Sequence, residues 1–338
     1  MLSFLRKLFA DRPTTATPNG FRPQVSVLES REVPAVNVAV VGGTLTISDV
    51  PGQPRGEILL RHEDALWPGP CEGGCDGIAV YEGGVRRTYP QPVGALTGVQ
   101  VDLRGTQADR VVAGGSYLPR LTVNLGDGAG QSVEVSAGTR VGGDLTVSGT
   151  GAYVDVRGAV SGAVAVNTTS STAFSWNNYV TVYSSGSVGG NLTVGRSDLL
   201  GGQVGVSVEG RVNGNLTVYG SSVGDVVLVN TGAVVGGGMT VRTGGGNDFV
   251  FAYGTVGANA GSQSTDLRTG DGNDRVEVGG SARLESFSAL LEGGNDTFVL
   301  SSGASFSSML VGGGAGTDSF FGVRTLPNLW LGTFEVFG

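Results

Sequence analysis

Lysine occurs once (Lys7), histidine once (His62), and lysine plus arginine together number 21 among 338 residues. That shortage argues against a basic nucleic-acid face and against any site built on clustered histidines. Charged residues make up 15 %, too few for a coiled coil or a polar-faced helix bundle. No apolar run reaches the ~18 residues of a membrane-spanning helix, so no transmembrane segment is expected. The two cysteines, Cys71 and Cys75, stand in PCEGGC, and two thiols with one histidine fall short of a structural zinc set. Their spacing suits a small disulfide loop or two free thiols in a surface insertion, and both readings stay open. No GxSxG, P-loop or dinucleotide fingerprint appears in a strand–helix context.

What is abundant is glycine: 61 residues, with no three-residue period, so a collagen-like triple helix is excluded. Hydrophobic residues at 39 % are enough to build a core. The net charge is −8, which disfavours nucleic acid and anionic lipid and suits divalent cations. Residues 1–36 hold five basic and three acidic residues, a net +2, leaving −10 to the remainder. The opening MLSFLRKLFADRP places Arg6 and Lys7 inside its apolar stretch, unlike a standard signal peptide, and reads as a short amphipathic leader.

The dominant signal is internal repetition. VGGDLTV (from Val141), VSGAVAV (from Val160), VGGNLTV (from Val188), VNGNLTV (from Val212) and VGGGMTV (from Val235) are variants of one phrase. Each is followed by a glycine turn and a second alternating run, such as YVTV from Tyr179 or RVEV from Arg275. The residue before the second run forms a series: Asp109, Gln131, Ala152, Asn178, Val204, Asp225, Asp248, Asp274, Asp296, Asp318. Its nine steps, of 21 to 26 residues, cover 209 residues and average just above 23.

Short valine- and threonine-rich runs with period two, separated by glycine turns, cannot bury their apolar faces alone. Stacked, they pair edge to edge and share one core. The expected fold is therefore all-β, a right-handed parallel β-helix of about 23 residues per rung, three-sided because a two-sided roll needs about 18. Ten rungs at ~4.8 Å give a rod of about 48 Å. The expected organisation is a flexible leader and export-type segment over 1–36, opening rungs with a loop insertion over 37–108, and the β-helix with an apolar C-terminal cap (from Pro327) over 109–338. LTI (from Leu45), EILL (from Glu57) and GIAVY (from Gly77) read as strands of the opening rungs. Asp144, Asn191 and Asn215 are expected to stack as a polar ladder at one corner, and the N-x-T sequons at Asn167, Asn191, Asn215 and Asn295 read as turns.

Two resemblances add to this reading. RPQVSVLESREVPAV (Arg22 to Val36) resembles the RPxLExLExRxxPA-type segment that opens many bacterial exported or surface-associated repeat proteins. Leu28, Glu29, Arg31, Pro34 and Ala35 match, while Val25-Ser26 replaces the first Leu-Glu pair. The resemblance implies an extracellular or cell-envelope destination. GGAGTDSFF (Gly313 to Phe321) resembles the GGxGxDxUx nonapeptide of hemolysin-type (RTX) calcium-binding repeats. TGDGNDRVE (from Thr269) and TGGGNDFVF (from Thr243) match apart from the first threonine, and LEGGNDTFV (from Leu291) matches less well. Carried over, this implies calcium held by Asp248, Asp274, Asp296 and Asp318 together with turn carbonyls. The nonapeptides here come once per coil instead of in tandem, so at most one edge could carry ions. Stacked carboxylates ~4.8 Å apart repel by about 3.5 kcal/mol at an effective dielectric of 20, so a buried row favours a cation. The competing reading is that glycine-asparagine-aspartate is simply a good turn.

Acidic residues lie mainly in turns, and Trp67, Trp176 and Trp330 are far apart in sequence. Asp155 with Arg157 and Glu209 with Arg211 read as surface pairs. The expected function is a non-enzymatic exported or cell-surface structural or adhesive solenoid. Its expected partners are calcium ions and cell-surface polysaccharide or envelope components, not nucleic acid. The alternative is a carbohydrate-active β-helix enzyme, a polysaccharide lyase or hydrolase, which needs carboxylates and a basic residue converging on one face.

Overall fold

The computed structural model describes residues 36–50, 57–63, 77–82, 85–89, 96–103, 108–128, 130–169, 178–196, 202–259, 261, 263–323 and 328–338. The export-type segment up to Ala35, both cysteines, Trp67 and Trp176 lie outside them.

Every regular element among the described residues is a β-strand, and the strands stack in parallel as a solenoid. A typical rung has three runs, as in Gln131–Val135, Arg140–Val141 and Leu145–Thr150. The first run belongs to a 14-stranded sheet; the two-residue corner strand and the third run share a bent 20-stranded sheet. Register follows the repeat: Val133 pairs with Val154, Val154 with Val180, and Val180 with Val206. Period-two alternation sends one residue of each pair inward. The first sheet thereby buries a column running Val111, Val133, Val154, Val180, Val206, Val227, Val250, Val276, Phe298 and Phe320. The corner adds Val141, Val160, Val188, Val212 and Val235, and the third run adds Leu121, Leu145, Val164, Leu192, Leu216 and Met239. Each such side chain contributes about 1.5–3 kcal/mol of burial, offset by the entropy of ordering the chain. The core is therefore continuous along the axis.

The start of the stack departs from the sequence reading. Thr44–Asp49 pairs in parallel with Gly98–Asp102, and Glu57–Glu63 with Arg110–Gly114, as rungs should. Gly77–Glu82, however, runs antiparallel to Glu57–Glu63 and is followed by antiparallel Val85–Tyr89. Val36–Val41 likewise folds back on Thr44–Asp49. These hairpins cover the outermost strands of both sheets at that end, satisfying backbone groups that a parallel stack leaves open. At the other end, Leu329–Gly332 and Val336–Phe337 continue the parallel pairing, and Phe334 packs edge-on against Phe320 with ring centroids 5.8 Å apart.

In two late rungs the corner changes. Arg283–Leu290 and Ser305–Gly312 run as single eight-residue strands through the bend where earlier rungs break at a glycine turn. Leu284 pairs with Phe306 and Ser286 with Ser308, so the strands stay in register through the bend.

Candidate functional site

The nonapeptide-like segments form the turns that deliver the chain into the first sheet. Gly270 and Gly272 have φ of 90° and 145°, in the region that favours glycine. A side chain on Gly272 would bring its Cβ within 1.7 Å of the Gly246 carbonyl, so successive turns approach at backbone distance. Gly245, Asp271, Gly293 and Ala315 form parallel bridges from turn to turn.

Inside these turns Asp248, Asp274, Asp296 and Asp318 line up in one column, each at most 2 % exposed. Each carboxylate reaches back one rung. Oδ1 of Asp248 accepts the backbone N–H of Asp225 at 2.7 Å, and Oδ1 of Asp274 accepts that of Asp248 at 2.9 Å. Asp296 accepts from Asp274 at 2.8 Å and Asp318 from Asp296 at 2.9 Å. Glu335 ends the series by accepting the N–H of Asp318 at 2.8 Å.

The column extends beyond the four residues with the motif. Asp225, fully buried, accepts the N–H of Val204 at 2.6 Å and that of Ser221 at 2.7 Å. Asn178 does the same for Ala152 at 3.2 Å with an uncharged amide. The segment before Asp225 reads GSSVGD, without the GxGxD phrase. The signal that places it, and Asn178, in the column is the 23-residue period, not the motif.

The second carboxylate oxygens are the unusual feature. Oδ2 of Asp248, Asp274, Asp296 and Asp318 is buried and accepts no hydrogen bond. The hydroxyls of Thr243 and Thr269, in the same turns, donate to the carbonyls of Thr269 and Leu291, both at 2.9 Å. Burial pushes the carboxyls of Asp225, Asp248 and Asp296 up to about 7 and that of Asp274 upward as well. The nearby hydroxyls of Thr243 at Asp248 and Thr269 at Asp274, and backbone N–H groups at all four, pull the other way and are outweighed.

On the outside of the same turns an asparagine ladder runs in the opposite sense. Asn247 accepts the N–H of Asn273, and Asn273 that of Asn295, each at 2.8 Å; Asn295 accepts that of Thr317 at 2.9 Å. Aspartates thus serve the preceding rung and asparagines the following one. The expected ladder at the other corner is also present: Asp144 accepts from Ala163 at 2.8 Å, Asn191 from Asn215 and Asn215 from Gly238, both at 2.9 Å. Asp127, in the earlier turn without a column aspartate, accepts the hydroxyl of Thr150 at 2.9 Å.

As a cation site the column is strung out. No group of three or more acidic, histidine or cysteine side chains gathers around one point among the described residues. Each rung supplies one carboxylate with one free oxygen. That donor is hard and anionic, as calcium prefers, but carbonyls or water would have to complete the shell. Of the surface pairs expected from sequence, Asp155 lies 3.3 Å from Arg157, whose guanidinium caps the Tyr183 ring at 3.6 Å. Arg211 instead turns to Asn213. The chain matches no family model, no curated protein and no solved structure.

Proposed function

We propose that the protein is an exported or cell-surface solenoid with a structural or adhesive role, whose C-terminal rungs take up calcium along the aspartate column. The observation that carries the calcium part is the row of four buried Oδ2 atoms without a donor. A buried unpaired carboxylate is unfavourable, and four in successive rungs add mutual repulsion. A divalent cation bound only to the folded chain relieves both and stabilises by mass action. Asp248, Asp274, Asp296 and Asp318 would be the carboxylate ligands. The adhesive part is supported by the architecture: a rod built of repeated rungs presents long, regular outer faces.

Thermal unfolding followed by circular dichroism tests the calcium reading. Millimolar calcium is expected to raise the midpoint by several degrees over excess chelator. Asp274→Asn with Asp296→Asn, which keeps an acceptor for the neighbouring N–H, is expected to abolish most of that gain. Identical melts with and without calcium would leave the column as hydrogen-bonding geometry alone.

A further inference from the structure

A different part of the molecule carries a second feature, in the outward column of the corner strands. Register pairing places Arg140, Ala159, Ser187 and Arg211 in successive rungs. The same column continues through Val234 and Thr255 to Arg283 and Ser305. An exposed arginine thus recurs at every third rung, about 14 Å apart at ~4.8 Å per rung, with small or uncharged residues between. In a chain of net charge −8, this column contains no carboxylate.

Arg283 is the most telling of the three. Arg242, Arg268 and Arg275 in the same region lie 2.6, 3.9 and 2.8 Å from Asp266, Glu292 and Glu277. The Arg283 backbone N–H donates to the Gly254 carbonyl at 3.2 Å, but its guanidinium has no ion-pair or hydrogen-bond partner among the described residues. It stands where two hollows of about 490 and 500 Å³ adjoin, both lined by Thr255, Arg283 and Ser305. The hollows arise where the corner loses its glycine turn, so that rungs with flat strands meet the connection bearing Gly257 and Asn259. Glu285 also lines one hollow, but its Oε2 already accepts the N–H of Gln263 at 2.8 Å. Arg140 and Arg211, both exposed, use Nε on Ser161 and Asn213, and their outer nitrogens have no partner among the described residues.

We propose that this arginine column binds an extended acidic polysaccharide. Carboxylates of the polymer pair with Arg140, Arg211 and Arg283, and sugar hydroxyls engage the serine and threonine hydroxyls at the Arg283 hollows. Guanidinium is suited to bidentate recognition of carboxylate. Posts spaced this widely engage only some carboxylates of a polymer with one per sugar, and its remaining charge is set along the column, which bears no carboxylate. Duplex nucleic acid, with one charge per ~1.7 Å, would meet the acidic body of the chain at every step. The proposal gives the adhesive reading a ligand class and rests on that reading for its role, but not on calcium.

Affinity electrophoresis in chelator tests it, with native gels containing polygalacturonate, neutral dextran, single-stranded DNA or no polymer. Chelator removes calcium bridging, so this result and the calcium melts fail independently. Retardation is expected in polygalacturonate only, fading as sodium chloride is added. Arg140→Gln with Arg211→Gln and Arg283→Gln should weaken it roughly tenfold. Arg275→Gln, which removes an ion-paired arginine outside the column, should leave it unchanged. Should the triple variant melt below the parent, Arg283→Gln alone decides and should weaken retardation several-fold. No retardation in polygalacturonate, equal retardation in dextran, an unaffected arginine variant, or stronger binding to single-stranded DNA would overturn the proposal.

Discussion

A buried aspartate that accepts one backbone N–H and leaves its other oxygen bare is under electrostatic tension, and the tension has a sign. Burial raises the carboxyls of Asp248 and Asp296 to about 7, against an ordinary value near 4, and does the same to Asp225 even though both of its oxygens accept a backbone N–H. The folded chain therefore holds protons that the unfolded chain has released, and ν_U is smaller than ν_N between those values. Their contribution to stability is fully present below about pH 4 and is lost as pH rises through about 7. In chelator, the melting midpoint is expected to fall from pH 5 to pH 8. Asp248→Asn should flatten the fall and raise stability at pH 8 by on the order of 1 kcal/mol or more. Melts at the two pH values decide it; a steeper fall in the variant would contradict this assignment. Asn178 already holds the equivalent place with an amide, so the substitution has a native precedent in the same column.

At the scale of the strand, the legible part of the fold was the part governed by repetition. The series from Asp109 to Asp318 located the first sheet, and the observed register pairs members of that series at Gln131 with Ala152 and Asn178 with Val204. The corner ladder of Asp144, Asn191 and Asn215 was legible because one phrase recurs around it. The antiparallel hairpins were not, because inward–outward alternation is the same whether a strand runs with or against its neighbour. GIAVY carries no mark of direction. The fused late strands escaped for a related reason: Arg283–Leu290 keeps the alternation on both sides of the bend and loses only its glycines. The four aspartates were found by motif and Asp225 by the period, but their partners, and Glu335 as a member, depend on which rung a carboxylate reaches, and that is set by geometry.

The same rungs show a change in core filling. Valine gives way to Phe298 and Phe320, whose rings stack 5.8 Å apart, with Phe287 edge-on to Phe298 at 6.0 Å. Phe298 is fully buried. Phe298→Ala is expected to destabilise by about 3–5 kcal/mol, read as a lower denaturant midpoint at unchanged slope. A loss under about 1 kcal/mol would mean that the rungs close over the gap.

Across the whole molecule the two halves differ in what occupies the column. Gln131, Ala152, Asn178 and Val204 stand where the later rungs carry carboxylates. Stability in a solenoid is close to a sum over rungs and their interfaces. In chelator at pH 8, amide hydrogen exchange is therefore expected to open the rungs from Asp225 to Asp318 before those from Gln131 to Val204. At pH 5 the two regions should be protected more nearly alike. Opening in the reverse order at pH 8 would show that core packing outweighs the charged column.

The direction of the aspartate ladder bears on how such a chain can change length. Each carboxylate satisfies the rung before it, so every rung arrives with the acceptor its predecessor needs. A tandem duplication of one 22-residue unit, such as Asp274 to Asn295, would insert a complete new rung and leave no neighbouring N–H bereft. Deletion of the same unit would join two rungs that already speak the same hydrogen-bond language. The ladder's direction therefore lets the solenoid gain or lose whole coils without disturbing the hydrogen bonds of the coils on either side.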